Sequence, residues 1–241
     1  MVRLHLEHGV EFNCFVDTGS PGIVLPKFLE PQLGKLLFKH GLTTLDGDFQ
    51  TARIYAAPKI YLGETPLVTG DRVLVWDHLE GILGMDCLRH YCVQLDFQKE
   101  KIRFLESGNT NAAELGKAYP LTNLQYAHIR QNGFFQTKAS ALLIDTGDPF
   151  DGMMSTKLVR RAVQDGKAAA VPIIDPRNFK GKNPELVRFP TCVWDARAYT
   201  NLLIQAGDQE ILGLKFLARH QVTFDFPKRV MYLKYVEEGS R

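Results

Sequence analysis

The sequence predicts a mainly β protein built as two similar halves in a pseudo-twofold pair, with short helices between the strands. Three observations predict it. The triplet Asp-Thr-Gly occurs at Asp17-Thr18-Gly19 and again at Asp145-Thr146-Gly147, each time at the end of an apolar run. Later landmarks repeat in the same order: Gly81-Ile82-Leu83-Gly84 returns as Glu210-Ile211-Leu212-Gly213, and Leu95-Asp96-Phe97 as Phe224-Asp225-Phe226. The triplets are offset by 145 − 17 = 128 residues, the Leu-Gly pairs by 213 − 84 = 129 and the Asp-Phe pairs by 225 − 96 = 129. Finally, most apolar runs are short and separated by Gly, Asn and Asp, the punctuation of strands and hairpins.

Two copies are too few for a solenoid. They fit a pair in which a patch on one copy meets its counterpart on the other. The expected organisation is a first lobe over 1–106, a linker over 107–118 and a second lobe over 119–241, with Ser107-Gly108-Asn109-Thr110-Asn111 as its polar, turn-rich stretch. Each lobe is small for a domain, so a core shared at the junction is expected.

In order along the chain, residues 2–6 and 11–16 read as strands around a His8-Gly9 turn, delivering Asp17 at the end of the second. Residues 23–25 read as a short strand, and 26–38 as a helix interrupted by Pro31. Asp46-Gly47-Asp48 marks a hairpin between residues 42–45 and 49–55. Strands are expected at 59–62, 67–68, 72–76, 93–97 and 101–105, with a helical turn in 85–91. In the second half, Asn132-Gly133 predicts a tight hairpin between 126–130 and 134–144. Ser155 reads as the N-cap of a helix with Leu158, Val159 and Ala162 on one face and Gly166 just past its end. Residues 171–190 carry no clear pattern; strands return at 193–199, 202–204, 222–226 and 230–235.

Composition narrows the function. The chain has 241 residues, 45% hydrophobic and 23% charged, with a net charge of +2, which makes no case for nucleic acid or an anionic membrane as partner. No apolar stretch approaches the roughly 20 residues that span a bilayer. The N-terminus alternates like a strand and lacks a signal-peptide core. The expected location is therefore cytoplasmic if the chain is complete, or exported or periplasmic if a leader has been removed. Cys14, Cys87, Cys92 and Cys192 show no CxxC spacing, so neither a disulfide framework nor a zinc site is expected. No metal or other cofactor is expected. Seven scattered His residues and the absence of a glycine-rich phosphate motif leave Ser-His, Cys-His and nucleotide chemistry without support.

The duplicated acid is the chemical signal. Asp17 and Asp145 at equivalent strand ends across a twofold junction would bring two carboxyls to about 3 Å. Repulsion between two full charges there is roughly 5 kcal/mol at an effective dielectric near 20, so the pair would retain one proton. Such a pair holds an acid and a base together, as amide hydrolysis by water requires. Gly19 and Gly147 would let the backbone turn close to the carboxyls, while Thr18 and Thr146 can reach the opposite lobe's backbone. Asp96 and Asp225 also recur, but between apolar strand residues, where a structural hydrogen-bonding role is expected.

Asp17-Thr18-Gly19-Ser20, Gly81-Ile82-Leu83-Gly84, Asp145-Thr146-Gly147 and Ile211-Leu212-Gly213 together resemble the aspartic proteases of the retropepsin-like branch, as two fused copies covering nearly the whole chain. The resemblance implies an acid-protease (retropepsin/pepsin-like) bilobal β-barrel fold and a cleft between the lobes, taking a peptide or protein substrate. It implies Asp17 and Asp145 as the catalytic pair of an aspartic endopeptidase, supported by Thr18, Gly19, Ser20, Thr146, Gly147 and Asp148. It also implies a flap with its tip near Asp46, Gly47 and Asp48, in a monomer with pseudo-dimeric lobes. The sequence departs from that pattern in three places. Position 148 is Asp where the family has Ser or Ala, residues 172–190 do not read as a second flap, and little chain precedes the first triplet. Asp148 reads equally as a loop cap or as a carboxylate that tunes the pair. The rival function is a non-catalytic peptide-binding module on the same scaffold.

Overall fold

The computed structural model describes residues 1–43, 49–77, 80–105, 111–134, 139–172 and 185–236. Among these residues the protein is mainly β, with two large sheets of nine and twelve strands, neither closed into a barrel. The closed barrel that the resemblance implied is thus not formed among the described residues. The nine-stranded sheet ends in the two-residue strand Thr65–Pro66, and Pro66 has no N–H with which to extend a ladder.

The duplication is visible strand by strand. In the first half, Glu11–Val16 pairs antiparallel with Val2–Leu6 and parallel with Gly81–Leu83. In the second, Ala139–Ile144 pairs antiparallel with His128–Asn132 and parallel with Ile211–Leu212. Val24–Pro26 lies antiparallel to Gly81–Leu83 and parallel to Arg72–Trp76, and Gly152–Ser155 has the same two relations to Ile211–Leu212 and Arg197–Gly207. Outside these run the hairpin of Phe38–Thr43 with Phe49–Ala56 in one half and of Ala169–Ala170 with Leu186–Trp194 in the other.

The halves are joined by backbone pairing. Cys92–Asp96 runs antiparallel to His220–Asp225, and Gln94 lies opposite Thr223, its own repeat mate at 94 + 129 = 223. The pseudo-axis therefore passes through this pair, and Gln94 Nε2 donates to Thr223 Oγ1 across it at 3.0 Å. Asp96 and Asp225 are buried at the ends of these strands. Each accepts a backbone N–H in the following turn, from Lys99 at 3.2 Å and Lys228 at 3.3 Å. Their recurrence is structural, as the sequence led one to expect. One cluster of buried apolar side chains runs from Val2 to Leu233 through both halves. Among the described residues no helix is long and apolar enough to cross a membrane.

Several local expectations differ from the structure. Residues 26–38 form only a 3-10 turn, Lys27–Gln32, before the chain enters the strand Phe38–Thr43; Pro31 sits inside the turn and cannot donate to a longer α-helix. The expected strand over 193–199 is a hairpin instead. Asp195 and Ala196 both have positive φ, 48° and 63°, and join Leu186–Trp194 to Arg197–Gly207. Lys117, Tyr119 and Gln131 hydrogen-bond the Asp195 carboxylate and hold this turn. Asn132 pairs with Ala139 inside the ladder, so Asn132-Gly133 is not the two-residue turn of this hairpin; residues 135–138 lie outside the described residues. Ser155 does cap its helix, accepting from Leu158 N at 3.4 Å, and Gly166 follows at φ 69°. Asp46, Gly47 and Asp48 lie outside the described residues.

Candidate active site

Each triplet sits where a strand ends between parallel and antiparallel neighbours. The N–H of Asp17 donates to Leu83 O at 3.1 Å and that of Asp145 to Leu212 O at 2.9 Å, so the duplicated Ile-Leu-Gly segments anchor both acids alike. Beyond each acid the backbone folds back on its own carboxylate. Gly19 N–H donates to Asp17 Oδ1 at 2.8 Å, and Gly147 N–H to Asp145 Oδ1 at 2.7 Å. Each loop also meets a helical turn from much later in its half, Met85–Leu88 or Leu214–Leu217. Their first amides donate to Ser20 O and Asp148 O, both at 2.8 Å.

The threonines tie the loops together. Thr18 Oγ1 donates to Ile144 O at 2.6 Å and accepts from Thr146 N–H at 3.2 Å. In return, Thr146 Oγ1 donates to Val16 O at 2.7 Å and accepts from Thr18 N–H at 3.1 Å. All four bonds cross the pseudo-axis, and both side chains are buried.

This lock brings Asp17 and Asp145 face to face, each carboxyl against the other triplet's glycine. The glycines make the approach feasible. A Cβ on Gly19 would lie 2.4 Å from the Asp145 carboxyl carbon, and one on Gly147 2.7 Å from that of Asp17. Burial, followed by the facing charge of Asp145, pushes Asp17 up to about 7. Burial also raises Asp145, against the lowering effect of the N–H groups of Gly147 and Asp148. The pair retains a proton into the neutral range.

The acids form the floor of a cleft of about 1280 Å³, lined from both halves. Val24, Leu74, Trp76 and Ile82 supply apolar wall on one side, with Leu42 from the arm of the 38–56 hairpin. Leu143, Met153 and Ile211 line the other side, where Asp208 and Glu210 add carboxylates. Asn123, Tyr126 and His128 complete the lining. The repeated motifs carry no signal for Tyr126, His128 or Asp208, and Glu210 heads a repeat whose first-half mate is Gly81. Tyr126, His128 and Asp208 stand outside those motifs and meet the cleft through long-range strand pairing.

Ser20 and Asp148 occupy equivalent places beside the acids and behave differently. The Ser20 hydroxyl donates to Gly22 O at 3.0 Å. Asp148 accepts from Phe150 N–H at 3.1 Å, the loop-cap role. Burial, with smaller contributions from the charges of Asp145 and Asp151, raises it to about 6. No protein-family model matches the chain, and no curated protein matches it.

Proposed function

We propose that the protein is an aspartic-type endopeptidase with an acid-protease (retropepsin/pepsin-like) fold of two fused lobes, 1–106 and 119–241, joined by the linker 107–118. One observation carries the reading: the carboxyls of Asp17, partly buried, and Asp145, buried, come from equivalent strand ends and face each other at the floor of a cleft lined by both halves. A water between them loses a proton to the ionised carboxylate as its oxygen attacks the peptide carbonyl carbon. The protonated partner gives its proton to the carbonyl oxygen, and the tetrahedral intermediate collapses when a proton passes to the leaving nitrogen. No metal or covalent nucleophile enters this scheme. The cleft exceeds the usual ~300–1,000 Å³ of small-molecule sites, which suits a peptide held extended with its side chains in alternate pockets.

Digestion of a peptide library from about pH 3 to pH 8 tests the proposal. Cleavage that is lost in Asp17→Asn and in Asp145→Asn, with the fold retained, is the expected result. Full activity in either variant defeats it. Saturable peptide binding with no hydrolysis at any pH would favour the non-catalytic module, for which the buried third carboxyl of Asp148 is the motivating observation.

A further inference from the structure

We propose that Asp148 is a positioning residue whose buried carboxyl, by its charge alone, holds the shared proton on the Asp17–Asp145 pair. This rests on the acid-pair reading above. It departs from the twofold logic of the site, because the equivalent residue of the first half, Ser20, is neutral.

The geometry gives Asp148 two opposed connections to Asp145. Its backbone N–H lies near the Asp145 carboxylate and favours the ionised form. Its own carboxyl lies three residues away on the same loop and is only 7% exposed. One oxygen is taken by Phe150 N–H, while Oδ2 has no hydrogen-bond partner among the described residues. That oxygen is wedged against Gly213, where a Cβ would lie 2.8 Å from it. An unpartnered carboxylate oxygen in a buried position costs free energy, and the cost rises with each like charge nearby.

The charged groups around it do not neutralise it. Asp145 and Asp151 lie on its own loop, and Asp151 is already paired with Arg219 at 3.2 Å. The helical turn Leu214–Leu217 brings Lys215, which is exposed. From the other half Asp17 faces Asp145. At acid pH Asp148 is protonated and as neutral as Ser20, leaving the two halves electrically matched. Once ionised, it sets a buried negative charge beside Asp145 and opposes loss of the shared proton. The working range of the pair then extends to higher pH than it would with serine at both positions, by about one pH unit for a nearby like charge.

The test uses the full chain with Asp148→Ser, which copies Ser20, and Asp148→Asn, which keeps the shape. Two readouts are taken: the pH–rate profile of peptide cleavage, and the titration of the aspartate carboxyls by 13C NMR. The alkaline limb and the upper titration midpoint of the pair are expected to fall by about one pH unit in both variants. A purely structural role would lower the rate at every pH and leave the limb in place. If the folded variants keep the wild-type midpoint, the proposal is overturned. If the wild-type protein cleaves nothing, the endopeptidase reading fails, and the NMR midpoints still decide the role of Asp148.

Discussion

Replacing Thr18 by alanine tests the cross-axis lock directly. The hydroxyl serves two backbone groups of the other half, the Ile144 carbonyl at 2.6 Å and the Thr146 N–H at 3.2 Å. Ile144 is 0% exposed and Thr146 5%, so water does not readily replace the lost partner. Leaving a buried donor or acceptor unsatisfied costs about 1–3 kcal/mol, which puts Thr18→Ala at about 2–6 kcal/mol. Thr18→Ser keeps both bonds and loses one methyl group, about 0.8 kcal/mol. Thr146→Ala should cost less than Thr18→Ala, because its acceptor Val16 is only half-buried. Urea unfolding of the four proteins, with slopes compared as well as midpoints, measures these differences. If Thr18→Ala matches wild type within about 0.5 kcal/mol, or Thr18→Ser is as damaging as alanine, the hydroxyl is not the lock and the reasoning fails.

Other expectations follow from the same geometry. Gly19→Ala places a Cβ 2.4 Å from the Asp145 carboxyl and must displace it; peptide cleavage should fall by about 100-fold or more while far-UV circular dichroism is retained. Asp17, raised to about 7, and Asp148, raised to about 6, both bind protons more tightly in the folded than in the unfolded chain. Stability should therefore decline as pH rises from about 4 to 7, and Asp148→Asn should recover up to about 3 kcal/mol at neutral pH and nothing near pH 3. Denaturant midpoints across that range check it, and a flat wild-type profile would contradict the assignment. Arg219→Gln removes the counter-charge of Asp151, which is 2% exposed, and should cost about 3–5 kcal/mol in the same assay.

Much of this architecture could be read from the chain because the repeat is nearly free of insertions. Offsets of 128 and 129 residues place Asp17 with Asp145, Gly84 with Gly213 and Asp96 with Asp225, and strands pair in the same order around both sets. The local misreadings have local causes. Val193 to Tyr199 alternates like one strand, but the chain reverses at Asp195 and Ala196, where positive φ and the side-chain bonds to Asp195 hold the turn. Pro31 blunted a helical pattern into a 3-10 turn. The cleft walls were hidden for another reason. Asp208 lies in an ordinary loop by sequence and Glu210 opens a repeat whose first-half mate is Gly81; both reach the acid floor because Ile211–Leu212 pairs with Ala139–Ile144, far earlier in the chain.

Both acids belong to one polypeptide, and the sheet beneath them is continuous from residues 92–96 to 220–225. Their meeting is thus a unimolecular event, complete when the chain has folded. An equivalent pair assembled from two separate polypeptides would come apart on dilution, with a concentration-dependent loss of function. Here the encounter is insensitive to protein concentration. Covalent joining also lets a substitution appear on one side of the axis alone, a freedom that identical subunits lack.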